Sequence, residues 1–185
     1  MKTINKYKRD IIKLFNQTNG ENLDNGMTWY KDANIYAKTL AKDFDIPLNK
    51  VIGVMAALSP NNKWDRNKID TRKFLEEPSL DTKVCTFTNQ RIKAMYIYHG
   101  TGCEDSILGI LNGVKTCNFF SNILNHKTCD RVTVDMWAFR SVGTEEKLKN
   151  VPLVTQAYQE LATELNIVPH QLQAVVWGVI RGSLV

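Results

Sequence analysis

Leu108-Gly109-Ile110-Leu111-Asn112-Gly113-Val114-Lys115-Thr116-Cys117-Asn118-Phe119-Phe120-Ser121-Asn122-Ile123-Leu124 reads as two short apolar helices, over 105–111 and 115–124, joined at an Asn-Gly turn. Asn and Gly accept the left-handed backbone that ends a helix. The helix that follows presents free backbone N–H groups in its first turn, an arrangement that suits a phosphate. Further on, Val132-Thr133-Val134-Asp135-Met136-Trp137-Ala138-Phe139-Arg140 places Asp135 near the start of another helix, expected over 133–142. At that end the helix dipole favours an ionised carboxylate.

Helical periodicity continues in both directions from this segment. Ala33, Tyr36, Ala37, Leu40, Ala41 and Phe44 recur at i, i+3, i+4 spacing, as do Leu153, Ala157, Leu161 and Leu165, and then Leu172, Val175, Val176 and Val179. Helices are also expected over 4–16, 49–58, 63–76 and 88–98. Thr28, Ser79, Asp105 and Thr133 stand where N-caps belong. Gly20, Gly26, Gly100, Gly102 and Gly113 mark loops, and the polar run 18–27 reads as a mobile connection. All five prolines, Pro47, Pro60, Pro78, Pro152 and Pro169, fall in gaps or first turns. Lys83-Val84-Cys85-Thr86-Phe87 is the one weak strand candidate, so the expected class is all-α.

The 185 residues suit one domain or two closely packed lobes, and 43% hydrophobic residues suffice for a core. No run approaches a membrane span, and no apolar signal core follows the basic N-terminus. The expectation is therefore a soluble cytoplasmic protein without membrane partners. A net charge of +5 permits a polyanionic partner without requiring one. Cys85, Cys103, Cys117 and Cys129 contain no Cys-x-x-Cys pair, and His99, His126 and His170 have no ligand spacing. No metal or organic cofactor is implied, and the cysteines read as reduced core residues.

The central segment resembles the helix-hairpin-helix family of DNA glycosylases, endonuclease III above all. In that family a Leu-Pro-Gly-Val-Gly-x-Lys-Thr-Ala hairpin precedes a Val-Asp-Thr-His-x-x-Arg stretch. Here Leu111-Asn112-Gly113-Val114-Lys115-Thr116-Cys117 matches the hairpin and Val134-Asp135-Met136-Trp137-Ala138-Phe139-Arg140 the second stretch. Lys115 falls on the family's Schiff-base lysine and Asp135, 20 residues later, on its catalytic aspartate. Upstream, Val51–Pro60 is similar to the apolar helix that ends at a base-flipping wedge, with Asn67 on the asparagine that follows. Residues 87–97 are similar to the family's Asn-x-Lys-Ala-x-x-Ile helix. The likeness covers about 48–142. The hairpin is shorter and keeps one glycine of two, Met136-Trp137 replaces Thr-His, and the C-terminal iron–sulfur cysteines are absent. Small bacteriophage proteins have a similar Gly-x-Lys and Val-Asp-x-Trp pattern.

The resemblance implies a single domain with a two-lobed helical fold, in which 48–142 carries the motifs and 1–47 with 143–185 forms the second lobe. It implies double-stranded DNA as partner and a base flipped into a pocket. Asp135 would stabilise the positive charge that grows on the sugar. Lys115, if burial favours its free amine, would attack the sugar carbon and lead to strand cleavage. Asn112, Gly113, Val114, Thr116, Pro60, Asn61, Arg66, Lys93 and Arg140 are the candidate DNA contacts, with Arg72 as a further one. Trp64 and Trp137 are candidates for the base pocket, while Trp177 reads as core. Gln173 and Arg181 read as exposed unless they face the cleft. Two other functions fit the same residues. One is a phage enzyme that builds a hypermodified base and retains it. The other is a non-catalytic DNA- or protein-binding module.

Overall fold

The structure is a computed structural model that describes residues 2–182. It is all-helical, with 71% of residues in helix and no strand among the described residues. The helices are α1 (Lys2–Phe15), α2 (Gly20–Asp43), α3 (Leu48–Leu58), α4 (Trp64–Glu76), α5 (Thr88–His99), α6 (Glu104–Leu111), α7 (Val114–Leu124), α8 (Met136–Ser141), α9 (Val151–Glu164) and α10 (Pro169–Arg181). A 3-10 turn, Leu148–Asn150, precedes α9. No helix among the described residues is long and apolar enough to cross a membrane.

The chain forms two compact units, Met1–Asp32 with Asn125–Leu184, and Ala33–Leu124. The dividing lines fall inside α2 and just after α7, rather than at 47/48 and 142/143 as the resemblance implied. Asp135 accordingly belongs with the chain termini, and Lys115 with the middle of the sequence.

The first unit is built on α1, α8, α9 and α10. Ile4, Tyr7 and Ile11 of α1 meet Val154, Ala157, Tyr158 and Leu161 of α9 and Leu172 and Val176 of α10, all buried. Their spacing of three and four residues puts them on single helix faces. Each fully buried aliphatic side chain contributes about 1.5–3 kcal/mol. The first turns of α2 also belong to this unit, and here the sequence misled. Residues 20–27, expected as a mobile connection, are helical. Asn19 caps them, its Oδ1 accepting the Asn22 N–H at 2.8 Å. Gly26 is a packing residue and no loop marker, since a β-carbon there would lie 2.6 Å from the Val175 Cα. Thr28 is inside α2, where its hydroxyl donates to Asp32.

The second unit is arranged around α3, which packs against α4, α5, α6 and α7. Every residue from Val51 to Leu58 is buried, so this helix is apolar all round because neighbours cover every face. Gly53 lets two of them close in. A β-carbon there would approach Ile97 to 2.8 Å and Ile107 to 3.0 Å. The charged exception in this core is Asp70, whose side chain is fully buried. Its carboxylate accepts from Asn62 Nδ2 at 3.0 Å, Arg66 Nε at 2.8 Å and the Cys85 N–H at 2.8 Å. The last bond explains why 83–87 is not a strand, since this amide is spent on a side chain.

Other expected caps are also reassigned. Ser79 accepts the Asp81 N–H in a turn, and Asp105 lies within the first turn of α6 behind the N-cap Cys103. Thr133 precedes the true N-cap of α8, which is Asp135. The four cysteines are free, but Cys85 and Cys103 are exposed and Cys117 and Cys129 half-buried, so none is a core residue.

Candidate functional site

The hairpin of the second unit is a backbone device. Helix α6 ends at Leu111, and Asn112 takes the left-handed conformation (φ 49°, ψ 23°) with its N–H on the Leu108 carbonyl at 3.0 Å. An asparagine thus fills a place where glycine is usual, and the single remaining glycine is enough. Gly113 accepts the Cys117 N–H at 2.8 Å and the Thr116 hydroxyl at 3.0 Å, which starts α7. From α5, the Lys93 ammonium donates to the Leu111 carbonyl. Lys93, expected as a phosphate contact, therefore serves as a clamp on the end of α6.

Lys115 stands exposed in the first turn of α7, beside Val114, which is 59% exposed, and the exposed Asn112. Burial of the Lys115 amine, which the sequence-based scheme invoked, is not found. The turn after α3 is also fixed. Asn61 is left-handed (φ 56°) and exposed, the Pro60 carbonyl accepts the Thr86 hydroxyl at 3.3 Å, and Asn62 is bonded to Asp70. Arg66 is half-exposed with its Nε spent on Asp70. Trp64 meets the edge of Phe119 at 6.5 Å, and the Lys68 ammonium lies 5.8 Å from its ring. Asn67 is buried with its Nδ2 on the Met55 carbonyl, and Arg72 pairs with Asp43 at 2.6 Å.

In the first unit, Asp135 is held from several sides. Its Oδ1 accepts the Ala138 N–H at 2.9 Å, as an N-cap does, and the Trp177 indole N–H at 3.2 Å. Trp177 is buried as the sequence suggested, yet its polar edge reaches the carboxylate, and its ring meets Trp29 edge-on at 5.9 Å. The segment before Asp135 is locked by Gln173, whose side-chain amide pairs with the Thr133 backbone as a neighbouring strand would. Its Oε1 accepts the Thr133 N–H at 2.9 Å and its Nε2 donates to the Thr133 carbonyl. Gln173 is fully buried, which corrects the expectation of solvent exposure. The Tyr30 hydroxyl adds a contact to Thr133 Oγ1 at 3.3 Å.

Below this turn, Tyr158 bonds to the Ser141 hydroxyl at 2.8 Å. Burial pushes the Tyr158 hydroxyl up, the Ser141 bond opposes the shift, and the Asp135 charge adds to it, so the phenol keeps its proton. Trp137 is half-exposed. The Arg140 guanidinium lies 4.6 Å from its ring centroid and that of Arg181 6.0 Å, so two cations gather on the aromatic side chain expected to line a base pocket.

The structure thus brings Asp135, Trp137 and Arg140 together with Trp177 and Arg181 in one unit. It brings Asn112, Gly113, Val114, Lys115 and Thr116 together with Lys93 in the other, where Pro60, Asn61, Trp64 and Arg66 also lie. No group of three or more His, Cys, Asp or Glu side chains able to hold a metal occurs among the described residues. The profile of the Family of unknown function (DUF7178) matches residues 1–184. The chain belongs to that family. No curated protein and no solved structure matches it. The family supplies no activity, so the functional reading rests on the residues. Three of these, Tyr30, Thr133 and Gln173, act on the Asp135 turn without any local sequence signal. Only the apolar neighbours of Gln173 in Leu172–Ile180 hinted that it faces inward.

Proposed function

We propose that the chain is a DNA base-excision glycosylase with abasic-site lyase activity, on a two-lobed helix-hairpin-helix scaffold, acting on double-stranded DNA in the cytoplasm. The observation that carries this reading is the Asp135 carboxylate, fixed at the head of α8 by the Ala138 N–H and the Trp177 indole. A carboxylate preorganised in this way stabilises charge that develops on a sugar without reorganising during the reaction. The hairpin supports the reading with a backbone turn, exposed polar groups and a lysine in the first turn of α7.

In the proposed reaction, Asn112–Thr116 grip a phosphate through backbone N–H groups. The target base is flipped out of the stack, with Pro60 and Asn61 entering the gap. The Lys115 amine attacks C1′ as the N-glycosidic bond breaks, and the base leaves with the bonding electrons and takes up a proton. Asp135 offsets the positive charge on the sugar and accepts the amine proton. Ring opening gives a Schiff base, and loss of a C2′ proton expels the 3′ phosphate. Because Lys115 is exposed in the free protein, the bound DNA itself must exclude water from the amine. Arg66 and Arg140 contact phosphates, and Trp64 and Trp137 border the base.

The test is strand cleavage of a duplex carrying one abasic site. Lys115→Ala abolishes cleavage while DNA binding persists. Asp135→Asn lowers the single-turnover rate by about 10²–10³-fold. Wild-type levels of cleavage in both variants would exclude the mechanism. Binding without cleavage by the wild type would favour base modification or a binding module.

A further inference from the structure

Within the first unit, a cavity of about 460 Å³ opens beside the first turn of α10. This volume lies within the range of small-molecule sites, about 300–1,000 Å³. Tyr30 and Lys31 of α2, His126 and Lys127 after α7, and His170 of α10 line it, and none of the described lining residues is acidic. Lys31 and Lys127 are both exposed, and neither has a carboxylate within ion-pair distance among the described residues. The N-terminus of the 13-residue α10 adds partial positive charge at the same place.

His170 provides the independent observation. It is 1% exposed, its ring lies 4.7 Å from that of Tyr30, and neither ring nitrogen makes a hydrogen bond. Burial pulls its imidazole down to about 4, the nearby His126 backbone opposes this, and repulsion from His126 adds to it. At neutral pH the ring therefore offers one N–H donor and one lone pair. A buried polar group left without partners costs about 1–3 kcal/mol, which a ligand in the cavity would recover.

We propose that this cavity binds a small phosphate monoester of nucleotide size, with Lys31, Lys127 and the head of α10 neutralising the phosphate and His170 bonding to its polar remainder. Three sources of positive charge suit a dianionic phosphate better than a single carboxylate. Two sources share this chemistry, a free nucleoside monophosphate and the 5′-phosphate end of a DNA strand. The proposal does not depend on the roles of Lys115 and Asp135. It does share Tyr30, which walls the cavity and also bonds to Thr133, two residues before Asp135.

Titration calorimetry tests it with thymidine 5′-monophosphate, thymidine, and a short single strand with and without a 5′-phosphate. Each phosphorylated probe that fits binds at least about tenfold more tightly than its unphosphorylated counterpart. Binding of the monophosphate assigns a free nucleotide, and binding confined to the phosphorylated strand assigns a DNA end. Both lysines are exposed, so the double variant Lys31→Ala/Lys127→Ala keeps the wild-type melting temperature and weakens binding by about tenfold or more. Equal affinity for phosphorylated and unphosphorylated probes, no binding at all, or a double variant that binds as wild type overturns the proposal.

Discussion

The Asn112–Lys115 hairpin and the Asp135 turn both place one charged residue near a helix start, and they do so by opposite means. The hairpin is held mainly by bonds spanning a few residues: Asn112 to Leu108, Thr116 to Gly113 and Cys117 to Gly113. The Asp135 turn depends on partners far along the chain, with Gln173 40 residues from Thr133, Trp177 42 from Asp135 and Tyr30 103 from Thr133. A locally closed turn can present an exposed, adaptable lysine. A long-range clamp fixes a carboxylate in one orientation, as charge stabilisation requires.

The contrast breaks most readily at Gln173. Gln173→Leu strips the Thr133 N–H and carbonyl of their partners in a buried setting, and the expected loss is about 3 kcal/mol in urea unfolding. The same substitution should leave the hairpin intact, so amide exchange at Asn112 and Cys117 stays at the wild-type rate in the native state.

A second test uses pH. His170 has a lowered imidazole, at about 4 against an ordinary 6.5. Between those values the unfolded chain binds the proton and the folded chain does not. The stability from neutral His170 is therefore complete above pH 6.5 and lost as pH falls towards 4, by roughly 2–3 kcal/mol. Urea midpoints at pH 7 and 4.5 measure this loss, and His170→Gln should flatten it.

Smaller effects separate the two turns directly. Asp135→Ala removes the α8 cap and the acceptor of the Trp177 indole, and should cost about 1–2 kcal/mol by thermal melting. Asn112→Ala puts a β-carbon residue without a compensating polar side chain into left-handed backbone, at about 1 kcal/mol. Asn112→Gly should be neutral or slightly stabilising in the same assay, because glycine adopts that conformation freely.

What the sequence made legible follows the same division. Helices over 2–15, 48–58, 64–76, 88–99 and 104–124 lie close to where their apolar spacing put them, and the Asn-Gly break fell in place. These are local properties, set by periodicity and by the few residues that tolerate left-handed backbone. The first turns of α2 were hidden because Gly20 and Gly26 look like breakers. Gly26 is there because Val175, 149 positions later, leaves no room for a side chain. The Asp135 carboxylate was legible as a helix-head acid, whereas its anchoring by Trp177 was not, because nothing local marks an indole N–H as a partner. Lys115 shows the reverse error. Its position was legible, but the burial invoked for its chemistry is absent.

The most direct measurement is borohydride trapping on a duplex with one abasic site, followed by mapping of the adduct by mass spectrometry. The account predicts a covalent adduct on the peptide containing Lys115, lost in Lys115→Ala and retained in Lys31→Ala/Lys127→Ala. No adduct from a folded, DNA-binding protein, or an adduct on another lysine, would contradict it.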